Sequence, residues 1–266
     1  MKRFAAIAGV LCTVGLAGTA TAAPSSGARA ATTPPRSHLR GFECQRSIDP
    51  VGRTVSVTAI MRPVSGTQKM SVRFDLLTRT KSSGPFTVVR GGDLGTWLSP
   101  LDQPTLGQRP GDVWVLSHPV AALPAPAAYR YRVVFRWVGA KGRVLDTHTR
   151  TTASCFQPEL RPDLSVRSIA IVPVAGKPNL SSYVVLIRNG GATAAGPFVL
   201  QFATSGRVVS RIVPRLGAHK TRTETFLGPV CTSATAPVVT VDPSQRILDF
   251  NPSNNRLQAS CRAAGS

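Results

Sequence analysis

The chain has 266 residues, with 32 Lys or Arg against 12 Asp or Glu and a formal net charge of +20. This length supports one large or two medium domains. So few carboxylates leave little material for paired-carboxylate hydrolysis, and no long stretch carries a 3.6-residue apolar period, so an all-β chain is expected.

Lys2 and Arg3 precede the apolar run Phe4–Leu16, and both Ala20-Thr21-Ala22 and Thr21-Ala22-Ala23 satisfy the small-x-small cleavage rule. This is the pattern of a secretory signal peptide over residues 1–23, and the run is too short to span a bilayer. Cys12 sits inside the run behind the bulky Leu11, so it is read as leaving with the signal rather than as carrying a lipid. Residues 24–37 hold no large apolar side chain and are expected to form a flexible Pro/Ala/Ser linker. The other cysteines are Cys44, Cys155, Cys231 and Cys261. In an exported chain they read as disulfides with three pairings open, and without C-x-x-C spacing no metal is expected.

Residues 38–157 are expected to form an immunoglobulin-like β-sandwich. Val55, Val57 and Ala59 alternate with polar residues, as do Val72, Phe74 and Leu76, and Phe86–Val89 and Val113–Leu116 are further short runs. The clearest strand is Tyr129–Trp137. It points Tyr129, Tyr131, Val133, Phe135 and Trp137 one way and Arg130, Arg132, Val134 and Arg136 the other. That predicts a half-buried strand with a wet arginine face. Leu123, six residues before Tyr129, has the spacing of a tyrosine corner. Cys44 opens this unit and Cys155 closes it, which favours pairing the two.

Glu159-Leu160-Arg161-Pro162 reads as a short linker, and residues 158–266 as a second sandwich. Its strongest strand is Tyr183–Ile187, with Tyr183, Val185 and Ile187 sharing a face, followed by Phe198, Leu200 and Phe202 on another inward face. Three segments carry a resemblance: Pro162-Asp163-Leu164 followed by a strand, Arg188-Asn189-Gly190-Gly191 with small residues after it, and Leu216-Gly217-Ala218-His219-Lys220-Thr221. The terminal Asp242…Ile247…Asp249-Phe250-Asn251-Pro252-Ser253-Asn254-Asn255 adds a fourth. Together they resemble the cell-adhesion-related domain found in bacteria (CARDB), which implies a seven-stranded sandwich on a secreted or surface protein. Ser253 stands where that family shows a second acidic residue. Cys231 and Cys261 are an addition to the family pattern, and pairing them with each other is favoured.

No G-x-S-x-G or H-E-x-x-H constellation occurs, and no cofactor or catalytic residue is expected. Asp249-x-Asn251-x-Ser253 has the rhythm of a calcium loop but lacks its Gly and its Glu, so it is read as an Asx-rich turn. Asp93, Asp102 and Asp112 likewise read as turn residues. Arg130, Arg132 and Arg136 are the candidate basic stripe. Trp97 and Trp114, beside a loop-rich Gly91–Gly111 region with Arg109, are candidate sugar-stacking residues. The alternative for Trp97 and Trp114 is a core position at a strand end. Arg outnumbers Lys 26 to 6, the bias of a GC-rich coding sequence, so basicity has a source besides a partner. The expectation is a secreted or envelope-associated, non-catalytic binding or adhesion-type protein. Its favoured partner is an anionic cell-envelope polymer or glycan, with no specific nucleic acid. The alternative is an accessory subunit that docks on another secreted protein at a sheet edge.

Overall fold

A computed structural model describes residues 34–261. The expected signal peptide of residues 1–23, Cys12 within it, and most of the 24–37 linker lie outside the described residues. The last linker residues depart from that expectation. Ser37 begins the first strand at 1% exposure, with its hydroxyl 3.0 Å from His148 Nδ1, and Arg36 donates from Nη1 to the Pro63 carbonyl at 2.9 Å.

The first half contains β1 (Ser37–Gln45), β2 (Thr54–Met61), β3 (Lys69–Arg79), β4 (Thr87–Val88), β5 (Trp97–Leu98), β6 (Trp114–Val120), β7 (Ala127–Val138), β8 (Val144–Thr151) and β9 (Cys155–Gln157). One sheet runs β1-β2-β6. The facing sheet runs β4-β3-β7-β8, with β5 added to β3 and β9 to β7. The period-2 pattern decides which side is buried. Val55 and Val57 from β2, Met70 and Phe74 from β3, and Tyr131, Phe135 and Trp137 from β7 meet between the sheets, none more than 1% exposed. The tyrosine corner is present: Tyr129 donates from its hydroxyl to the Pro124 carbonyl at 2.6 Å, beside buried Leu123. Cys44 and Cys155 are bonded, with Cα atoms 5.8 Å apart, so β1 of one sheet is tied to β9 of the other.

The second half contains β10 (Leu164–Pro173), β11 (Leu180–Asn189), β12 (Phe198–Thr204), β13 (Arg207–Val213), β14 (Thr221–Pro229), β15 (Val238–Val241) and β16 (Arg256–Gln258). Its sheets run β10-β11-β14 and β13-β12-β15-β16. Between them lies a second core that includes Tyr183, Val185, Ile187, Leu200 and Phe202. Cys231 bonds Cys261, and the Cα atoms are 5.2 Å apart.

Asn189 ends β11 fully buried. Its Nδ2 donates to the carbonyls of Thr193 (2.7 Å) and Leu216 (3.1 Å), and its Oδ1 accepts from the amides of Asp163 (3.1 Å) and Gly191 (3.0 Å). One amide thereby ties the entry to β10, the loop after β11 and the approach to β14. Gly191 is required beside it. A Cβ there would meet the backbone of Arg161, Pro162 and Asp163 inside contact distance.

The expected linker is a clamp. Arg53, 1% exposed, donates from Nε to the Ser47 carbonyl at 3.0 Å and pairs through Nη2 with Glu159 Oε1 at 2.8 Å. Glu159 also accepts from the Arg161 backbone and guanidinium at 2.9–3.0 Å, and Arg161 stacks over the Phe250 ring at 5.2 Å. Burial opposes the charge on Glu159. The hydrogen bonds from Arg161 and then Arg53 outweigh that penalty and hold its pKa down at about 2, from an ordinary 4.5.

Three outcomes follow for stability. Asn189→Ala is expected to lower the urea midpoint by the equivalent of about 3 kcal/mol, since several buried backbone groups lose their partner together; a change near zero contradicts the hub. Replacing both Cys44 and Cys155 with Ser is expected to cost about 4–5 kcal/mol for a loop of this length. Glu159→Gln is expected to cost about 3 kcal/mol at neutral pH by stranding buried Arg53. Unfolded Glu159 takes up its proton near 4.5 and the folded residue near 2, so its contribution is complete above 4.5 and lost as pH falls toward 2. The Gln variant is expected to lose that part of the acid sensitivity.

Candidate functional site

The outer face of the β3–β7 pair follows from β7's own alternation. Burying its aromatic and β-branched residues turns Arg130, Arg132 and Arg136 outward. Along β3 the same logic turns out Arg73, Asp75, Leu77 and Arg79. The antiparallel register sets Asp75 opposite Arg132, Leu77 opposite Arg130 and Ser71 opposite Arg136. Asp75, 4% exposed, accepts from Arg132 Nε at 3.0 Å and lies 3.2 Å from Arg73 Nε.

Arg79, Arg130 and Arg136 meet rings instead of carboxylates, and Arg73 meets a ring as well as Asp75. Arg136 lies 3.8 Å and Arg73 5.2 Å from the Trp97 ring centre. Arg130 lies 4.0 Å and Arg79 4.7 Å from the centre of Phe86. Such contacts favour a cation by roughly 0.5–2 kcal/mol. The Nε atoms of Arg79, Arg130 and Arg136 are buried without a hydrogen-bond partner. The face is therefore half-covered rather than freely hydrated. That differs from the wet arginine face expected from alternation alone, because the segment between β3 and β6 folds back over it.

Beside the pairing of β4 and β5 with β3, two further contacts hold that segment. Gly95, at φ +81°, donates its amide to the Phe74 carbonyl at 2.8 Å, and Asp93 Oδ1 lies 2.9 Å from His118 Nε2. His118 is buried on the inward face of β6, stacked on Phe74 with ring centres 4.6 Å apart. The inward position of His118 is visible in the alternation Trp114, Leu116, His118, Val120. Its partner Asp93 is not, since 25 residues separate the two.

Trp97 and Trp114 are not brought together. Trp97 belongs to β5 and pairs with Arg73 on β3, whereas Trp114 pairs with Met61 in the other sheet and packs against the first core. Arg109 is exposed in the loop before β6, where the Arg109 and Gly107 amides donate to the Asp112 carboxylate. Those two bonds lower the Asp112 pKa. Asp249 accepts within its own turn from the Asn251 amide (2.8 Å) and Asn255 Nδ2 (3.1 Å), and beyond it from the Leu164 amide at the start of β10 (2.9 Å). Among the described residues no three His, Cys, Asp or Glu gather in a metal-holding group, and no helix is long and apolar enough to cross a membrane.

No curated protein sequence matches the chain. Among solved structures it is similar to the class 5 fimbriae chaperone CfaA, at 12% identity and a TM-score of 0.29 over 85% of this chain and 99% of that one. A chaperone–tip adhesin complex of CFA/I fimbriae aligns at 12% identity and a TM-score of 0.28, covering 86% of this chain and 100% of that one. The Amycolatopsis orientalis exo-chitosanase CsxA aligns at 13% identity and a TM-score of 0.26, covering 77% of this chain and 25% of that one. Residues 161–259, from Arg161 of the clamp to just past the last strand, match the CARDB family model, in agreement with the resemblance carried by that half of the sequence.

Proposed function

We propose that the protein is a non-catalytic, exported binding module whose first sandwich holds an extended anionic polymer along β7. One observation carries the reading: five guanidinium groups, from Arg73, Arg79, Arg130, Arg132 and Arg136, share a sheet face with the single carboxylate of Asp75. Partly desolvated arginines attract anions more strongly than hydrated ones, because less water must be displaced. Phe86 and Trp97 mark the two ends of this row. Arg130 and Arg136 beneath them are six residues apart, a rise of roughly 20 Å in a strand. A partner that meets both rings is therefore an elongated one, with acidic groups repeating along it and sugar faces suited to stacking on Trp97. An acidic envelope polysaccharide has this chemistry.

Two disulfides and a CARDB domain support an extracellular or envelope setting. The CARDB domain, an adhesion-type family, supports the absence of a reaction.

The test is binding to polygalacturonate as a model polyanion over a range of salt. Affinity is expected to fall steadily as salt rises. Arg130→Ala and Arg136→Ala are each expected to weaken binding roughly tenfold, the worth of one charge-assisted hydrogen bond. Trp97→Ala is expected to weaken it at every salt concentration. Equal losses from Arg207→Ala in the second sandwich, or salt-independent binding, overturn the reading.

A further inference from the structure

The edges of the second sandwich are unequal. An open strand edge invites pairing, and sheets usually blunt it with bulges, prolines or charge. The β10 edge has a register shift between Val166 and Ser168 and ends at Pro173. The β14 edge carries Arg222 and Glu224 and ends at Pro229. By contrast β13 pairs with β12 in unbroken register and contains no proline; its two charges, Arg207 and Arg211, lie on the face of Leu200 and Thr204, and on the other face Val208 is 56% and Ile212 74% exposed.

Its backbone is set for pairing. Ser205 and Gly206, both at positive φ, form the two-residue turn that closes β12 onto β13 at Thr204 and Arg207. From that closing pair the ladder alternates, so Val208, Ser210 and Ile212 present their amides and carbonyls to the open side. The three side chains also share the outer sheet face, beside Ala203, Gln201 and Val199 of β12.

We propose that β13 is a self-pairing edge, through which two copies of this chain join antiparallel about a two-fold axis at Ser210 and merge their four-stranded sheets. The sequence Arg207-Val208-Val209-Ser210-Arg211-Ile212-Val213 names its own partner. About Ser210, Val208 faces Ile212 of the second copy, and Ile212 faces its Val208. Arg211 then falls opposite Val209 and Arg207 opposite Val213. The two neighbouring registers that keep the same faces are penalised. One sets Arg211 against Arg211, and the other sets Arg207 against Arg211, like charges directly opposite. Arg211 is already balanced within its own copy by Glu224 at 2.9 Å. The arrangement is isologous, so it closes at two copies and does not run on into a fibre.

Sedimentation equilibrium of the full chain is expected to show twice the chain mass, and Ile212→Lys to restore the single mass. Ile212 is so exposed that its circular-dichroism spectrum is expected to stay unchanged. Ser210→Cys is expected to cross-link on oxidation, because residues directly opposite in a hydrogen-bonded pair have Cα atoms about 5.5 Å apart. Thr223→Cys on β14 is expected not to cross-link. A chain that sediments as a single copy at every concentration overturns the proposal. So does a dimer that survives Ile212→Lys, or one that Ser210→Cys fails to cross-link.

Discussion

Burial of one face of β7 is the constraint from which the rest of the first sandwich follows. Tyr129, Tyr131, Val133, Phe135 and Trp137 give up nearly all their exposure to the core. Each large side chain so buried is worth roughly 1.5–3 kcal/mol. With the inward set fixed, no freedom remains for the residues between them. Arg130, Arg132 and Arg136 must stand together on the opposite face, in the register that β3 imposes. Only one of the three receives a carboxylate. The other two are accommodated by rings from a distant loop, which cover their faces without cancelling their charge.

The second sandwich depends on a different device. Most of its core is ordinary alternation, but its loops converge on the Asn189 side chain, which uses both its donors and both acceptor directions on backbone. A buried amide is tolerated only when fully satisfied, and this one is satisfied by segments far apart in sequence. It thus specifies how the chain enters β10 and β14. Gly191 lets the Arg161–Asp163 segment lie against the end of β11, and Glu159 then joins that segment to Arg53 of the first half. The junction is a network of charge and backbone contacts in which each half supplies part.

Period-2 alternation made much of this legible from the residues. The burial of Tyr183, Val185 and Ile187, the tyrosine corner at Tyr129 and both disulfides follow from local pattern or from position within a unit. What stayed hidden depends on long-range geometry. Phe86 and Trp97 sit in Gly-rich loop sequence, and nothing local says that they fold back onto Arg130 and Arg136. That path is set by the pairing of β4 and β5 with β3, by Asp93 meeting His118 and by Gly95 meeting Phe74. Trp97 and Trp114 looked like partners because they are near in sequence, yet the chain sends them to opposite sheets. Glu159 read as linker because its partner Arg53 lies 106 residues away.

The most direct measurement of the central claim is an NMR titration of the arginine side chains with polygalacturonate, following each Nε–H signal and the Trp97 indole. The account predicts that the Arg130, Arg136 and Arg79 signals move together with Trp97, reversibly with added salt, while arginines of the second sandwich stay in place. Shifts spread evenly over all arginines, or confined to the second sandwich, would contradict it.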